Sequence, residues 1–435
     1  MQDLKEKRVT VAGLGRFGGQ IAAARWLVAQ GARVIVTDLA PPEKLAGSIQ
    51  QLEGLPIEFH LGGHRSEDYS SVDLVVASPA IPPRDQYLLA ATEAGVAITT
   101  EIRLFIERCP GTILGVTGSK GKSTTAALLG NMLQQRFTTW VGGNIGRPLL
   151  NELHNIEKTH LVVLELSSFM LHHLGPMRWS PHVSVVTMLA GDHLDWHGSV
   201  DAYIEAKKNI IRFQRPDDFA VLNAEDSASR VWAKGTSARV IYFTTEGRER
   251  FELMIPGRHN QSNARAAFAA ASLMGITLAE AQTAVREFAG LPHRLQLVHE
   301  SRGVRYFNDS IATIPEAAIA ALDAFPARRV IQIVGGKDKG NPLTAMCNAL
   351  VERAKAALCI GATGPKLAEL MAKSPTHQSA ANVYECGDLP TAMKIARQIV
   401  VAGDVVLLSP GCASFDQFVN FEERGELFAR LAREN

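Results

Sequence analysis

The chain has 435 residues, 46% of them hydrophobic, a length that suggests about three domains at roughly 150 residues each. Lys+Arg number 45 against Asp+Glu 44, so no broad basic face is implied and nucleic acid is not expected as a partner. The five cysteines are scattered and lack a CxxC pair, which disfavours a disulfide scaffold or zinc site and suits a reducing cytoplasm. Residues Met1–Lys5 open no apolar core, so no secretory signal is expected, and no apolar run is long enough to span a membrane.

The first segment, residues 1–97, opens with a predicted strand at Arg8–Val11. Gly13-Leu14-Gly15-Arg16-Phe17-Gly18 follows, then a helix-like stretch and a strand at Arg33–Thr37 that ends at Asp38. This is a GxGxxG turn with an acidic residue 20 positions after its last glycine. Glycines there let a pyrophosphate sit on a helix N-terminus, and the carboxylate suits ribose hydroxyls. A tight βα turn without a ligand would read the same way. A third strand, Asp73–Ala77, ends at Ser78-Pro79-Ala80.

The second segment, residues 98–290, carries Gly-Val-Thr-Gly-Ser-Lys-Gly-Lys-Ser-Thr-Thr at positions 115–125. It lies between a predicted strand at Thr112–Val116 and a helix at Thr124–Leu133. Strand, loop and helix in that order make a phosphate-binding loop, although Val116 holds the usual first-glycine slot. Gly118 and Gly121 let backbone N–H groups close on phosphate oxygens, Lys122 supplies a point charge, and the Ser123 hydroxyl suits Mg²⁺. ATP is the ligand this implies. Strands at Leu161–Leu164, ending at Glu165, and at Val183–Leu189, leading to Asp192-His193, put both polar ends where parallel strands bind ligands. Lys207 lies on a predicted helix at Val200–Phe213. A polar patch at Gly257–Asn260 and Asn263 opens another at Ala264–Leu273.

The third segment, residues 291–435, begins at Leu291-Pro292-His293-Arg294. Strands are expected at Val304–Phe307, Val330–Val334, Ala357–Ile360 and Val405–Leu408, alternating with helices, so a parallel α/β sheet is predicted. Turn motifs stand at the strand ends, among them Asn308-Asp309-Ser310, Gly335–Gly340 and Ser409–Ser414. Lysines and hydroxyls at such ends suit a carboxylate ligand, although ordinary turns use the same residues.

Six motifs give the chain a family resemblance. They are Gly143-Asn144-Ile145-Gly146, Glu165-Leu166-Ser167-Ser168-Phe169, Asp192-His193-Leu194-Asp195, Leu291-Pro292-His293-Arg294, Asn308-Asp309-Ser310, and SPGCASFDQFVNFEERG at Ser409–Gly425. With them the whole chain resembles the Mur ligases, and among these the glutamate-adding members. The resemblance implies three α/β domains: a Rossmann-like N-terminal domain, a P-loop ATPase central domain and a Rossmann-like C-terminal domain. It implies an ATP-dependent amide ligase acting on UDP-N-acetylmuramoyl-L-alanine and glutamate, in the cytoplasm and as a monomer.

The family's roles carry over residue by residue. Gly13, Gly15, Arg16, Phe17, Gly18, Asp38 and Ser78 would hold the UDP group rather than a dinucleotide, and Asn144 and Ser167 the muramoyl part. Gly118, Ser119, Lys120, Gly121, Lys122, Ser123 and Thr124 would bind ATP, with Asn263, Arg294 and Asp309 gripping adenine, phosphate and ribose. Two Mg²⁺ ions are implied, the first on Ser123 and Glu165, the second on His193 and a carbamylated Lys207. Lys122, His193 and Lys207 would be the catalytic groups. Thr313, Lys339, Ser414 and Phe421 would shape the amino-acid site.

The chain departs from the glutamate-adding pattern at Met170, Met188, Ile311 and Ile314. Ile311 stands where a lysine is usual, so the same chemistry with L-glutamate or another amino acid is an alternative. Residues 13–38 alone also suit a nicotinamide-dependent dehydrogenase, but hydride transfer needs no phosphate loop.

Overall fold

The computed structural model describes residues 3–434 apart from 16–17, 191–192, 248 and 375–380. Arg16, Phe17 and Asp192 therefore lie outside the described residues. The chain divides into two compact units, Met1–Glu249 with Ser262–Ala281, and Arg250–Gln261 with Gln282–Asn435. No helix among the described residues is long and apolar enough to cross a membrane.

The first unit holds two sheets. The strands of the first are β1 (Arg8–Ala12), β2 (Arg33–Asp38), β3 (Ile57–Leu61), β4 (Leu74–Ala77) and β5 (Ala97–Thr99), in the order β3-β2-β1-β4-β5, all parallel. The strand expected third is the fourth, because β3 was not anticipated. Its alternating Ile57-Glu58-Phe59-His60-Leu61 sits at the sheet edge and buries only His60. The boundary expected at residue 97 also moves: Leu74, Val75 and Val76 pair with Ala97, Ile98 and Thr99, so the first sheet runs through Thr99.

The second sheet consists of β6 (Thr112–Thr117), β7 (Thr139–Gly143), β8 (Leu161–Glu165), β9 (Val183–Val186), β10 (Phe219–Asn223) and β11 (Arg239–Phe243). Its order is β11-β10-β9-β6-β8-β7, again all parallel. The inner strands β8 and β9 are buried along their whole length. Strands covered on both faces read as continuous apolar runs rather than alternating ones. One continuous core joins the first two sheets. Ile21, Trp26 and Leu27 of the helix Gly19–Ala29, Ile102 and Phe105, and Leu149 and Leu150 all belong to it.

The second unit holds β12 (Gln296–Ser301), β13 (Val304–Asn308), β14 (Val330–Gly335), β15 (Ala356–Ile360), β16 (Asn382–Gly387) and β17 (Val405–Leu408). The order is β12-β13-β17-β14-β15-β16. The expected parallel sheet is mixed, because β12 runs antiparallel to β13. The two residues between them, Arg302 (φ 51) and Gly303 (φ 76), both have positive φ, as a two-residue hairpin turn requires. β13, β17, β14 and β15 are mutually parallel, so their C-terminal ends share one edge of the sheet.

Candidate active site

The phosphate loop leaves β6 and enters the helix Lys122–Leu133. Gly118 (φ 149) and Gly121 (φ 83) take conformations that disfavour side chains. A Cβ at Gly118 would lie 1.9 Å from Thr187 Oγ1, and one at Gly121 would lie 2.4 Å from Asn263 Oδ1. The backbone can therefore pass close to its neighbours only because both are glycine. Gly121 provides no side-chain cap for the helix, which suits a terminus that binds an anion. Lys122 Nζ donates to Ser119 O at 3.0 Å.

The segment after β9 braces this loop. Thr187 Oγ1 donates to Lys120 O at 2.6 Å, and Ser119 N donates to Met188 O at 2.7 Å. The Ser119 hydroxyl bonds Ala190 O at 2.6 Å, accepts from Ala190 N at 2.9 Å, and lies 2.9 Å from Tyr203 Oη. These bonds explain why the strand expected to reach Leu189 stops at Val186: the backbone leaves the sheet to hold the loop.

Glu165, at the end of β8, pairs in register with Val116 and is buried. Its Oε1 accepts from Asn144 Nδ2 at 2.8 Å, while its Oε2 is buried with no hydrogen-bond partner among the described residues. Gly143 (φ 89) makes this approach possible, since a Cβ there would meet Glu165 O at 2.3 Å. Lys207 is 1% exposed on the helix Val200–Arg212. Its Nζ donates to Gly118 O at 2.8 Å and to Thr117 Oγ1 at 3.3 Å, and lies 4.9 Å from the Tyr203 ring centroid. His193 is exposed with a positive φ of 50, its ring 4.8 Å from that of Phe169 and 6.4 Å from that of Tyr203. Asn263 is a helix residue, because the expected helix at Ala264 in fact begins at Arg258. Ser167 caps the helix Ser168–Leu174 by accepting from Met170 N at 3.2 Å.

At the end of β1, Gly13, Gly15 and Gly18 all have positive φ. Asp38 is part of the scaffold of this turn: its Oδ2 accepts from Gly15 N at 3.0 Å and its Oδ1 from Ala40 N at 2.8 Å. Ser78 lies against Gly13, where a Cβ would come 3.1 Å from the serine Cβ.

In the second unit Asp309 is buried, accepting from Leu295 N at 3.1 Å and from Ser409 Oγ at 2.7 Å. Burial pushes its carboxyl up to about 7, against these donors and the charge of the exposed Arg294. Its oxygens thus tie the Arg294 turn to the end of β17. Lys339 Nζ donates to Thr313 Oγ1 at 3.3 Å. Ser310 Oγ donates to Phe421 O at 2.8 Å and accepts from Arg424 Nε at 3.0 Å. Arg424 is 1% exposed and also donates to Ser310 O and Cys412 O. Ser414 is buried close by in sequence to Cys412.

Comparison with known proteins places this arrangement. Family models described as Mur ligase MurD-like N-terminal domain, Mur ligase middle domain and Mur ligase glutamate ligase domain match residues 7–100, 116–250 and 293–412. The UDP-N-acetylmuramoylalanine–D-glutamate ligase of Roseiflexus sp. (strain RS-1) is 41% identical over 98% of this chain and 98% of its own. The ligase of the same description from Symbiobacterium thermophilum is 38% identical, with 98% of both chains covered. The chain belongs to the Mur ligase family. Its fold is also that of a solved Mur ligase, the UDP-N-acetylmuramate–alanine ligase of Thermotoga maritima. That structure matches at a TM-score of 0.63 and 21% identity, over 98% of this chain and 99% of its own.

In this Mur ligase the first unit brings together the phosphate loop, Asn144, Glu165, Lys207 and Asn263; Arg294, Asp309, Thr313, Lys339, Ser414 and Phe421 belong to the second. Residue reading missed Thr187, Tyr203 and Arg424. Tyr203 had a signal, since it lies four residues before Lys207 on one helix face. Arg424 had none, because an arginine in an amphipathic helix reads as a solvated one. The residues present fit the nucleotide and metal that Mur ligases use. The glycine turn accommodates phosphate, and the Glu165 oxygen that is buried without a partner among the described residues suits a cation.

Proposed function

We propose that this Mur ligase joins D-glutamate to UDP-N-acetylmuramoyl-L-alanine at the expense of ATP, in the synthesis of peptidoglycan precursors. The observation that carries its ATP-dependent step is Glu165, buried beside the phosphate loop with one carboxylate oxygen unpartnered among the described residues. The substrate's alanyl carboxylate takes the γ-phosphoryl group, and the glutamate amine displaces phosphate from the resulting acyl phosphate. Amide, ADP and phosphate are the products.

The chain's own residues mainly position and neutralise charge. Lys122 swings from Ser119 O to the phosphates, and the loop N–H groups orient the γ-phosphoryl group toward its acceptor. Ser123 and Glu165 would hold Mg²⁺, which supplies positive charge to phosphate oxygens when bound. Gly13, Gly15, Gly18, Asp38 and Ser78 would form the UDP site, with Asn144 and Ser167 toward the muramoyl group. Asn263, Arg294 and Asp309 serve the nucleotide in this reading, with Asp309 acting through the Arg294 turn that it anchors. Thr313, Lys339, Ser414 and Phe421 would take the amino acid.

A second metal on His193 and a carbamylated Lys207 completes the reading. Its support is the burial of Lys207: carbamylation replaces a buried ammonium with an anionic ligand and keeps one N–H for Gly118 O. Lys207→Ala should be nearly inactive, with partial rescue by a short-chain carboxylate; a fully active variant would contradict the modification.

The overall test is ADP release. It should require UDP-N-acetylmuramoyl-L-alanine, Mg²⁺ and D-glutamate together. Equal or faster turnover with L-glutamate would overturn the acceptor assignment.

A further inference from the structure

The bonds that brace the phosphate loop are themselves held from below. At the end of β10, Asn223 Nδ2 donates to Thr187 O at 2.9 Å. Three residues on, Asp226 Oδ2 accepts from Leu189 N at 2.6 Å. Thr187, itself one anchor point, and Ala190, next after the other, bond Lys120 and Ser119 of the loop. We infer that Asn223 and Asp226 are positioning residues for ATP, setting the phosphate loop through the 187–190 segment. The inference rests on the phosphate loop being the ATP site.

A plainer role for Asp226 would be to cap a helix. Its Oδ1 does this, accepting from Ala228 N at 2.9 Å and Ser229 N at 3.4 Å at the start of the helix Ser227–Ala233. Asn223 likewise has a local bond, from Glu225 N to its Oδ1 at 2.9 Å. The two functions fall on different atoms. Oδ1 of each residue serves its own turn, while Asp226 Oδ2 and Asn223 Nδ2 reach across to the segment leaving β9. The segment has left the sheet after Val186, and its backbone tie to a strand is the bond from Thr187 N to Thr117 O of β6 at 3.0 Å, so Asn223 and Asp226 add a hold from the β10 side.

That division of atoms makes the two roles separable. Asp226→Asn keeps an oxygen for the cap, at which asparagine is as good as aspartate. It can place only an NH₂ or a shared oxygen against Leu189 N, so the brace is lost. Asp226→Ser also caps but is too short to reach Leu189. Asn223→Asp keeps the Oδ1 acceptor and turns the donor to Thr187 O into a second oxygen, which repels that carbonyl.

The experiment measures Mg-ADP affinity by calorimetry on the full chain, together with separate KM values for ATP, the nucleotide-sugar substrate and D-glutamate. Asp226→Asn and Asn223→Asp should each weaken Mg-ADP binding and raise the ATP KM by roughly tenfold, the scale of one charge-assisted or buried hydrogen bond. The other two KM values and the melting temperature of Asp226→Asn should stay near wild type. Wild-type Mg-ADP affinity in the soluble Asp226→Asn and Asp226→Ser variants would overturn the inference, provided Lys122→Ala loses affinity. If Lys122→Ala also binds Mg-ADP normally, the ATP-site reading itself fails and the inference falls with it. An equal rise in all three KM values would overturn it too, by showing a general loss of structure rather than loop positioning.

Discussion

Single residues separate chemistry from scaffolding here. Lys122, whose Nζ rests on Ser119 O, is the residue proposed to do chemistry. Lys122→Ala should lower turnover by roughly two to four decades, the scale of removing a preorganised charge that acts in the transition state, with a circular-dichroism spectrum unchanged. Full activity in that variant would remove the phosphate loop from the mechanism. Arg424 is scaffolding. Its guanidinium, pulled down by burial to about 10 and so still charged at neutral pH, ties Ser310 to Cys412 behind the expected amino-acid site. Arg424→Met keeps the apolar stem but leaves buried carbonyls without donors, so urea unfolding should show a loss on the order of 3 kcal/mol.

At the scale of elements, glycines decide how closely loops approach strands. Gly118→Ala puts a methyl group 1.9 Å from Thr187 Oγ1 in a backbone conformation of φ 149. Strain of roughly 1–3 kcal/mol is expected, and the loop must shift to relieve it. Mg-ADP affinity should therefore fall at least about tenfold; an unchanged affinity in calorimetry would show that the loop has room the structure denies. The same scale explains many of the strands the residues announced, although the inner strand β10, also buried and apolar, was not among them. The buried β6, β8, β9, β14 and β17 are apolar runs. β3, β7 and β16 sit at sheet edges, with exposed or half-exposed residues and no such run. β12 is a strand because the Arg302-Gly303 turn folds it back on β13, which its own half-polar residues do not require.

At the scale of the whole molecule, two buried carboxyls link stability to pH. Glu101 is pushed up to about 7 by burial, opposed only by the Leu150 backbone N–H, and Asp309 reaches about 7 for the same leading cause. Both native carboxyls hold protons more tightly than the unfolded chain, where they titrate near about 4. Their contribution is therefore complete below about pH 4 and is lost as pH rises through about 7. Melting temperature should fall between pH 6 and 8 in the wild type, and fall less in Glu101→Gln and Asp309→Asn. A steeper fall in those variants would reverse the sign and refute the assignment.

Motifs whose function is a backbone shape were legible in the sequence. Glycines at positions 13, 15, 18, 118 and 121 state a conformation that only glycine adopts cheaply, and all five have positive φ. Glu165, at a strand end, and Lys207, on a helix, were legible through their placement and through the family resemblance. What the residues could not reveal was which polar groups share a partner. Asp38 and Asp309 read as ligands, yet their oxygens accept backbone and serine donors that shape the neighbouring turns. Asn223 and Asp226 belong to no motif and were not singled out in the sequence. They lie 36 and 37 residues from the atoms they hold, and only the parallel pairing of β9 with β10 brings those atoms within hydrogen-bond range. Hydrogen bonds are short-ranged and sequence separation is not distance, so the bracing of the site was decided by tertiary structure alone.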